Sequence, residues 1–185
     1  MNLIYFGKYK SRFKEITNII ESINPNSVLE LCFADIKVAR FCKSQKIKWK
    51  GIDINQNFVT FAKKKYFNVQ KQDINMFDFN SESFDLVLII GSLYHFRKNL
   101  DSFLHKIFIS TDKLLISEPT TTLTQNYPRL KNIFYFLSGI ENTLDFERYT
   151  NETLKKDLEK FCNKNFKLEF IKNANKESIY LLTNV

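Results

Sequence analysis

Two carboxylates stand at the ends of successive apolar runs, and their spacing suits the binding of a nucleoside. Glu30 lies in the run Val28–Leu31, and Asp53 follows 23 positions later in the run Trp49–Ile54. A carboxylate offers two acceptor oxygens, so it can accept hydrogen bonds from both hydroxyls of a ribose. The turn at 32–36 contains no glycine, although turns of this kind use glycine to let a ligand lie against bare backbone.

The elements that would position these acids follow from the apolar pattern. Helical stripes and apolar runs alternate along the chain, with helices predicted at 8–23, 36–45, 55–66, 99–110 and 150–163. Strands are predicted at 27–31, 48–53, around 69, and at 84–90, 113–117, 166–171 and 178–183. The run 84–90 is almost continuously aliphatic, which is typical of a central parallel strand covered on both faces.

This order predicts an α/β fold with a doubly wound sheet of seven strands, mostly parallel. The last two strands have no helix between them, which predicts an antiparallel C-terminal hairpin. Ligands of such sheets bind beyond the carboxyl ends of the strands, where the strand order switches. Glu30, Asp53, Gly91 and Glu118 all fall at predicted strand ends on that edge.

Composition narrows the class of protein. The 185 residues are predicted to form a single domain, 1–185. Three widely spaced cysteines and two histidines favour neither a disulfide framework nor a metal site, so no metal is expected. The longest apolar run, Leu86–Tyr94, is about half the roughly 20 residues that span a bilayer. With no signal-peptide pattern at the N-terminus, we expect a cytoplasmic protein that does not associate with a membrane.

The net charge of +8 raises the question of nucleic acid. The lysines are scattered along the chain, and 63–65 is their longest block. A solvated lysine-rich surface is therefore favoured, and nucleic acid is not expected as a partner. An anionic small substrate remains compatible with the charge.

Five segments, in order and spacing, resemble the motifs of class I S-adenosylmethionine-dependent methyltransferases, in the small-molecule, methyltransferase type 11-like branch. They are Val28–Leu31, Gly51–Asn55, Gln72–Ile74, Phe84–Phe96 and Leu114–Pro119. The resemblance implies a Rossmann-like sheet and S-adenosylmethionine as the cofactor. It also implies methyl transfer to an oxygen or nitrogen atom of a small metabolite, which could be anionic.

The resemblance also implies roles for individual residues. Asp53 would bind the ribose hydroxyls and Asp73 would lie beside the adenine amine, with Ile54 and Ile74 next to these acids. Glu30 would orient the following turn or face the methionine ammonium. Plainer roles stay open: Asp53 as a capping acid, Asp73 as a surface loop acid and Glu30 as a buried acid that serves backbone amides. The remaining cofactor positions implied by the motifs are Cys32, Ala34 and Gly91.

The departure from the family pattern lies in the turn Cys32–Ile36. Ala34 adds one methyl group, and Cys32 is tolerable if its backbone angles stay ordinary. Ile36 is β-branched and is not expected to adopt a left-handed conformation. We therefore expect cofactor binding that is weakened but retained.

His95, just past the fourth strand, is the best candidate for a general base, with Tyr94 and Glu118 as alternates. The other interpretation of His95 is a histidine that bonds to the backbone and shapes the site. The segment 120–149 is long for a connection and is predicted to be a lid over the substrate or an interface. In the first case Arg129 or Arg148 would meet an anion, with Tyr127 beside it. In the second case the segment would form a homodimer contact.

Two other functions remain open from the sequence. The missing glycines favour a catalytically impaired, methyltransferase-like binding or scaffold subunit. An RNA or DNA methyltransferase is the other alternative, although Gly91–Tyr94 stands where amino-methylating enzymes carry Asn/Asp-Pro-Pro-Tyr/Phe. A NAD-dependent oxidoreductase is disfavoured because Gly-x-Gly-x-x-Gly is missing.

Overall fold

A computed structural model describes residues 9–120, 148–162, 165–174 and 177–185. The helices are α1 Tyr9–Ile23, α2 Lys37–Ser44, α3 Gln56–Lys63, α4 Leu100–Ile107 and α5 Asn151–Phe161. The strands are β1 Ser27–Leu31, β2 Lys48–Asp53, β3 Val69–Lys71, β4 Leu86–Ile90, β5 Lys113–Pro119, β6 Phe166–Ala174 and β7 Glu177–Asn184. Two 3₁₀ helices, Ile74–Met76 and Leu93–Asn99, follow β3 and β4.

The seven strands form one sheet in the order β3-β2-β1-β4-β5-β7-β6. Strands β1 to β5 are parallel, β7 runs antiparallel to β5, and β6 runs antiparallel to β7. The predicted doubly wound, mostly parallel α/β sheet with an antiparallel C-terminal hairpin is confirmed. The strand order reverses between β1 and β4, so the crevice for a ligand is expected at their carboxyl ends.

Two apolar layers cover the sheet, one on each face. One layer joins the sheet to α4 and α5, and the other joins it to α1, α2 and α3. Strand β4 contributes to both layers, because Leu86 and Leu88 face one side while Val87 and Ile89 face the other. All four side chains are fully buried, which explains the continuous aliphatic pattern of this strand.

Strand and cap positions agree closely with the sequence pattern near the site. Strands β1 and β2 have the predicted bounds. Asn55 caps α3 by accepting from the Asn57 amide, and Thr150 caps α5 by accepting from the Thr153 amide. Within the described residues, no helix combines the length and the apolarity that crossing a bilayer requires.

Candidate cofactor and acceptor site

The glycine-free turn after β1 has a left-handed backbone at two positions. Cys32 has φ of 54° and Ala34 has φ of 41°, whereas Ile36 keeps an ordinary φ of −105° immediately before α2. The condition under which Cys32 would be tolerated is therefore not met, whereas the expectation that Ile36 avoids left-handed angles is confirmed. Left-handed angles cost a non-glycine residue roughly 1 to 2 kcal/mol, so contacts around the turn must stabilise this shape.

The Asp53 carboxylate is one such contact. Its Oδ2 accepts from the Ala34 amide at 3.1 Å, and its Oδ1 accepts from the Asn55 amide at 2.7 Å. The side chain is 5% exposed, and this burial raises the Asp53 pKa although the amides act in the opposite direction. A carboxylate has about four lone-pair directions. Asp53 can therefore hold the turn and still accept from a ribose.

Buried side chains anchor the same turn from below. Phe33 is 3% exposed and meets the Trp49 ring edge-on, with 5.7 Å between ring centres. Ile36 is also buried against the helical layer. At Gly51 on β2, an added Cβ would lie 2.8 Å from Phe33 Cδ1 and closer still to the Trp49 ring. Gly51 is thus required for Trp49 and Phe33 to pack under the turn.

Glu30 lies under Trp49, away from the turn amides. The indole Nε1 donates to Glu30 Oε2 at 3.0 Å, and the carboxyl is 2% exposed. Burial raises the Glu30 pKa to about 8, against the lowering effects of Trp49 and Arg12. The structure therefore places this acid in the packing of β1 against β2, and no backbone amide among the described residues donates to it.

The third strand-end acid lies at the surface. Asp73 Oδ1 accepts from the Asn75 amide at 2.9 Å and so caps the 3₁₀ helix Ile74–Met76. Ile74 is buried, whereas Ile54 is 64% exposed and Met76 is 75% exposed. Exposed apolar side chains beside Asp53 and Asp73 provide faces on which an adenine ring could stack.

The switch point between β1 and β4 is occupied by polar groups. The Cys32 thiol forms a hydrogen bond with the Ser92 side chain, and burial raises the pKa of this thiol above its usual range. Gly91 has φ of 70°, and an added Cβ there would lie 2.7 Å from Arg12 Nη2. Glycine is needed at position 91 because of this left-handed backbone angle and because of the close approach of Arg12. Arg12, 6% exposed, pairs through Nε with Glu177 Oε1 at 2.6 Å.

Arg12 and Glu177 are site residues that the sequence pattern did not indicate. Glu177 is the first residue of β7, and the antiparallel pairing places it opposite Pro119 at the end of β5. Glu177 Oε2 also accepts from the Ser117 hydroxyl at 2.5 Å. No short motif marks these residues, because their contact depends on how the last strand enters the sheet.

Three of the residues predicted to contact the methyl acceptor lie close together at the other end of the candidate site. Tyr94 and His95 lie in the 3₁₀ helix after β4, and the Arg148 guanidinium lies 3.6 Å from the centre of the Tyr94 ring. Burial, together with the Arg148 charge, lowers the His95 pKa to about 4. His95 is therefore neutral at pH 7. Tyr127 and Arg129, with most of the predicted segment 120–149, lie outside the described residues.

Glu118 completes this end of the site. It is fully buried, and its Oε2 accepts from the Leu93 amide at 2.9 Å. Burial raises its pKa to about 8, although Arg148 acts to lower it. Its Oε1 has no hydrogen-bond partner among the described residues. The same described part of the chain holds no cluster of three or more His, Cys, Asp or Glu suited to a metal ion.

Comparisons with known proteins agree with this geometry. Residues 33–109 match the family model of a methyltransferase domain, a range that runs from the turn through Asp53 and Asp73 to α4. The resemblance to class I methyltransferases is thereby confirmed. No curated protein matches the chain.

Solved structures share the fold at low identity. The plantazolicin methyltransferase BpumL in complex with SAH is 13% identical, with 98% of this chain and 88% of that chain covered and a TM-score of 0.72. An rRNA methylase from Escherichia coli is 20% identical, with 96% and 65% covered and a TM-score of 0.60. The methyltransferase domain of bacterial CtHen1 is 15% identical, with 93% and 97% covered and a TM-score of 0.67. This chain thus spans just under two thirds of the rRNA methylase.

Proposed function

We propose that this chain, whose residues 33–109 match a methyltransferase domain, transfers a methyl group from S-adenosylmethionine to an oxygen or nitrogen atom of a small metabolite. The observation that carries the proposal is the Asp53 carboxylate, which holds the Ala34 amide at 3.1 Å and retains acceptor capacity. The turn has left-handed angles at Cys32 and Ala34 without glycine, which supports a backbone path that could accommodate the cofactor. The structures of BpumL contain SAH, which supports this choice of cofactor.

The residues at this edge fit the parts of the cofactor. Asp53 would accept from the ribose hydroxyls, and Ile54 and Met76 would lie against the adenine ring near Asp73 and Ile74. Bound S-adenosylmethionine would supply an electrophilic methyl group. The side chains that Cys32 and Ala34 carry at left-handed positions, where glycine would leave bare backbone, support weakened but retained binding.

The acceptor would lie at the other end of the site. Arg148 is half-buried over Tyr94 and would attract an anionic group of the metabolite. The imidazole of His95, which is neutral at pH 7, would accept the proton of an acceptor hydroxyl or ammonium. Tyr94 would hold Arg148 through the face of its ring.

Calorimetry with S-adenosylhomocysteine tests the cofactor part of this proposal. We expect saturable heat at or below millimolar ligand, because Asp53 retains acceptor capacity beside the left-handed turn. The same titration with NAD provides the control for non-specific nucleotide binding. An absence of heat at millimolar S-adenosylhomocysteine would contradict the proposal and would favour a binding or scaffold subunit.

His95→Ala should lower methyl transfer by about 100-fold or more, the usual contribution of a general base. His105→Ala is the matched control, because His105 is exposed on α4 and contacts the Asp101 carbonyl at 2.8 Å. The readout is labelled methyl incorporated from S-adenosylmethionine into a small-metabolite fraction. With a His95 pKa of about 4, turnover should be level above about pH 5. A rise through about pH 8 that Glu118→Gln abolishes would instead identify Glu118 as the base.

An RNA acceptor is the second candidate, favoured by the shared fold with the Escherichia coli rRNA methylase. It would show as labelled methyl in the RNA fraction of the same assay, with no labelled small metabolite.

A further inference from the structure

The positive charge of this protein is concentrated in one part of the chain. Residues 36–72 hold ten Lys and Arg but one acid, Asp53, which is buried. The other residues hold 18 cations and 19 acids, so this segment accounts for the whole net charge of +8. The 20 acids, spread evenly over 185 residues, would place about four in this segment. The view that the lysines are scattered, on which the expectation of no nucleic-acid partner depended, therefore fails here.

Biased codon usage does not explain this distribution. A bias towards AT-rich codons replaces Arg by Lys along the whole chain, but it does not remove acidic residues from one segment. Helix dipoles account for a part, since cations are favourable at the ends of α2 and α3. They do not account for Lys48, which begins a strand.

The fold gathers six of these lysines at the amino ends of the strands. Helices in this fold run back against the strands, so the ends of α2 and α3 and the start of β2 share one end of the sheet. The Lys43 ammonium lies 5.7 Å from the Phe67 ring centre, and this contact joins the end of α2 to the segment after α3. We call this area the basic surface; it consists of Lys43, Lys46, Lys48, Lys63, Lys64, Lys65 and Tyr66, all exposed.

Acidic residues lie at the border of the basic surface, but they do not neutralise its charge. Glu82 pairs with Lys50 further along β2, and Asp85 accepts from the Asn26 amide beside β1. Within the described part of the chain, none of the six lysines of the surface forms an ion pair with a carboxylate. Their charges are therefore available to an outside partner.

Tyr66 adds an aromatic face among these charges. Its side chain is 92% exposed, and its backbone has φ of 60°. The amides of Tyr66 and Phe67 bond to the carbonyls of Lys63 and Ala62, so Tyr66 occupies the left-handed position after a helix that glycine usually takes. An exposed ring at a strained position contributes little to folding and points to a function.

We propose that the basic surface binds single-stranded nucleic acid. Lysine ammonium groups neutralise backbone phosphates, and the exposed Tyr66 ring can stack on an unpaired base. A duplex offers no unpaired base to such a ring. Since β2 has six residues, Lys48 lies about 17 Å from Asp53, so the surface holds the bound strand away from the methyl-transfer edge.

Fluorescence anisotropy with a labelled 20-nucleotide RNA tests this proposal. The variant Lys46→Gln/Lys48→Gln/Lys64→Gln/Lys65→Gln should bind at least tenfold more weakly, with a salt slope reduced by about two to three units. The control Lys106→Gln/Lys156→Gln/Lys160→Gln/Lys167→Gln loses the same charge from exposed positions and should change affinity less than threefold. Tyr66→Ala should weaken binding by about tenfold with the salt slope unchanged.

Three results would overturn the proposal. One is equal weakening in the two quadruple variants, which would mean a net-charge effect. Another is binding to a duplex as tight as to the single-stranded RNA. The third is binding of vesicles with anionic lipid, but not RNA, through the basic surface. S-adenosylhomocysteine affinity should be unchanged in both quadruple variants, so failure here is distinguishable from failure of the proposed function.

Discussion

Asp53→Ala should weaken S-adenosylhomocysteine binding by about 100- to 1000-fold, or about 3 to 4 kcal/mol. The substitution removes the acceptor proposed for the ribose hydroxyls and also releases the Ala34 amide from its contact at 3.1 Å. A hydrogen bond to a charged group contributes about 1.5 to 3 kcal/mol, and two such contributions are lost together. Calorimetry gives the affinity directly.

Two variants separate binding from folding in this experiment. Asp53→Asn keeps the shape and one acceptor oxygen, so it should fold and should lose about tenfold or more in affinity. Asp78→Asn is the matched control, because Asp78 also accepts from the amide two positions later, that of Asn80 at 3.0 Å, but lies exposed. Unchanged affinity in a folded Asp53→Asn variant would remove Asp53 from the cofactor site.

Glu30→Gln should stabilise the protein at alkaline pH by up to about 4 kcal/mol, and much less at pH 5. The folded Glu30 pKa is about 8, above its usual 4.5, because the carboxyl is buried. The folded state therefore retains a proton that the unfolded state releases, and the stability that this proton provides is lost as pH rises from about 5 through 8. Glutamine stays neutral and can still accept from Trp49.

Urea unfolding at pH 5 and at pH 8.5 measures this difference. Glu21→Gln is a suitable control, since Glu21 is exposed on α1 and should leave stability within about 0.5 kcal/mol at both values. A gain in Glu30→Gln that is the same at both pH values would show that Glu30 titrates normally in the folded protein.

The side of the site proposed for the ribose could be predicted from sequence because its parts are local. The end of β2, the Asn55 cap and Asp53 all follow from a short apolar run that ends in polar residues. The backbone of the turn could not be predicted, since propensity alone argues against left-handed Cys32 and Ala34. The hydrogen bond from Ala34 to Asp53 and the burial of Phe33 outweigh that local preference.

The other end of the site depends on tertiary structure. Arg12 reaches Gly91 only because α1 packs across the sheet, and Glu177 reaches Arg12 only because β7 inserts beside β5. Apolar periodicity carries no information about either contact. The sequence did indicate His95 and Arg148, but the loss of charge on His95 comes from burial, which spacing does not reveal.

The Arg12–Glu177 pair joins residues 165 positions apart, whereas Ala34 and Asp53 are 19 apart. During synthesis on the ribosome, chains begin to fold from the N-terminal side. The half of the site proposed for the nucleoside can therefore take shape while the strand that carries Glu177 is still being made. The half proposed for the acceptor is completed only when that strand joins the sheet, so a partly synthesised chain can hold the turn and Asp53 in place before the proposed acceptor end has formed.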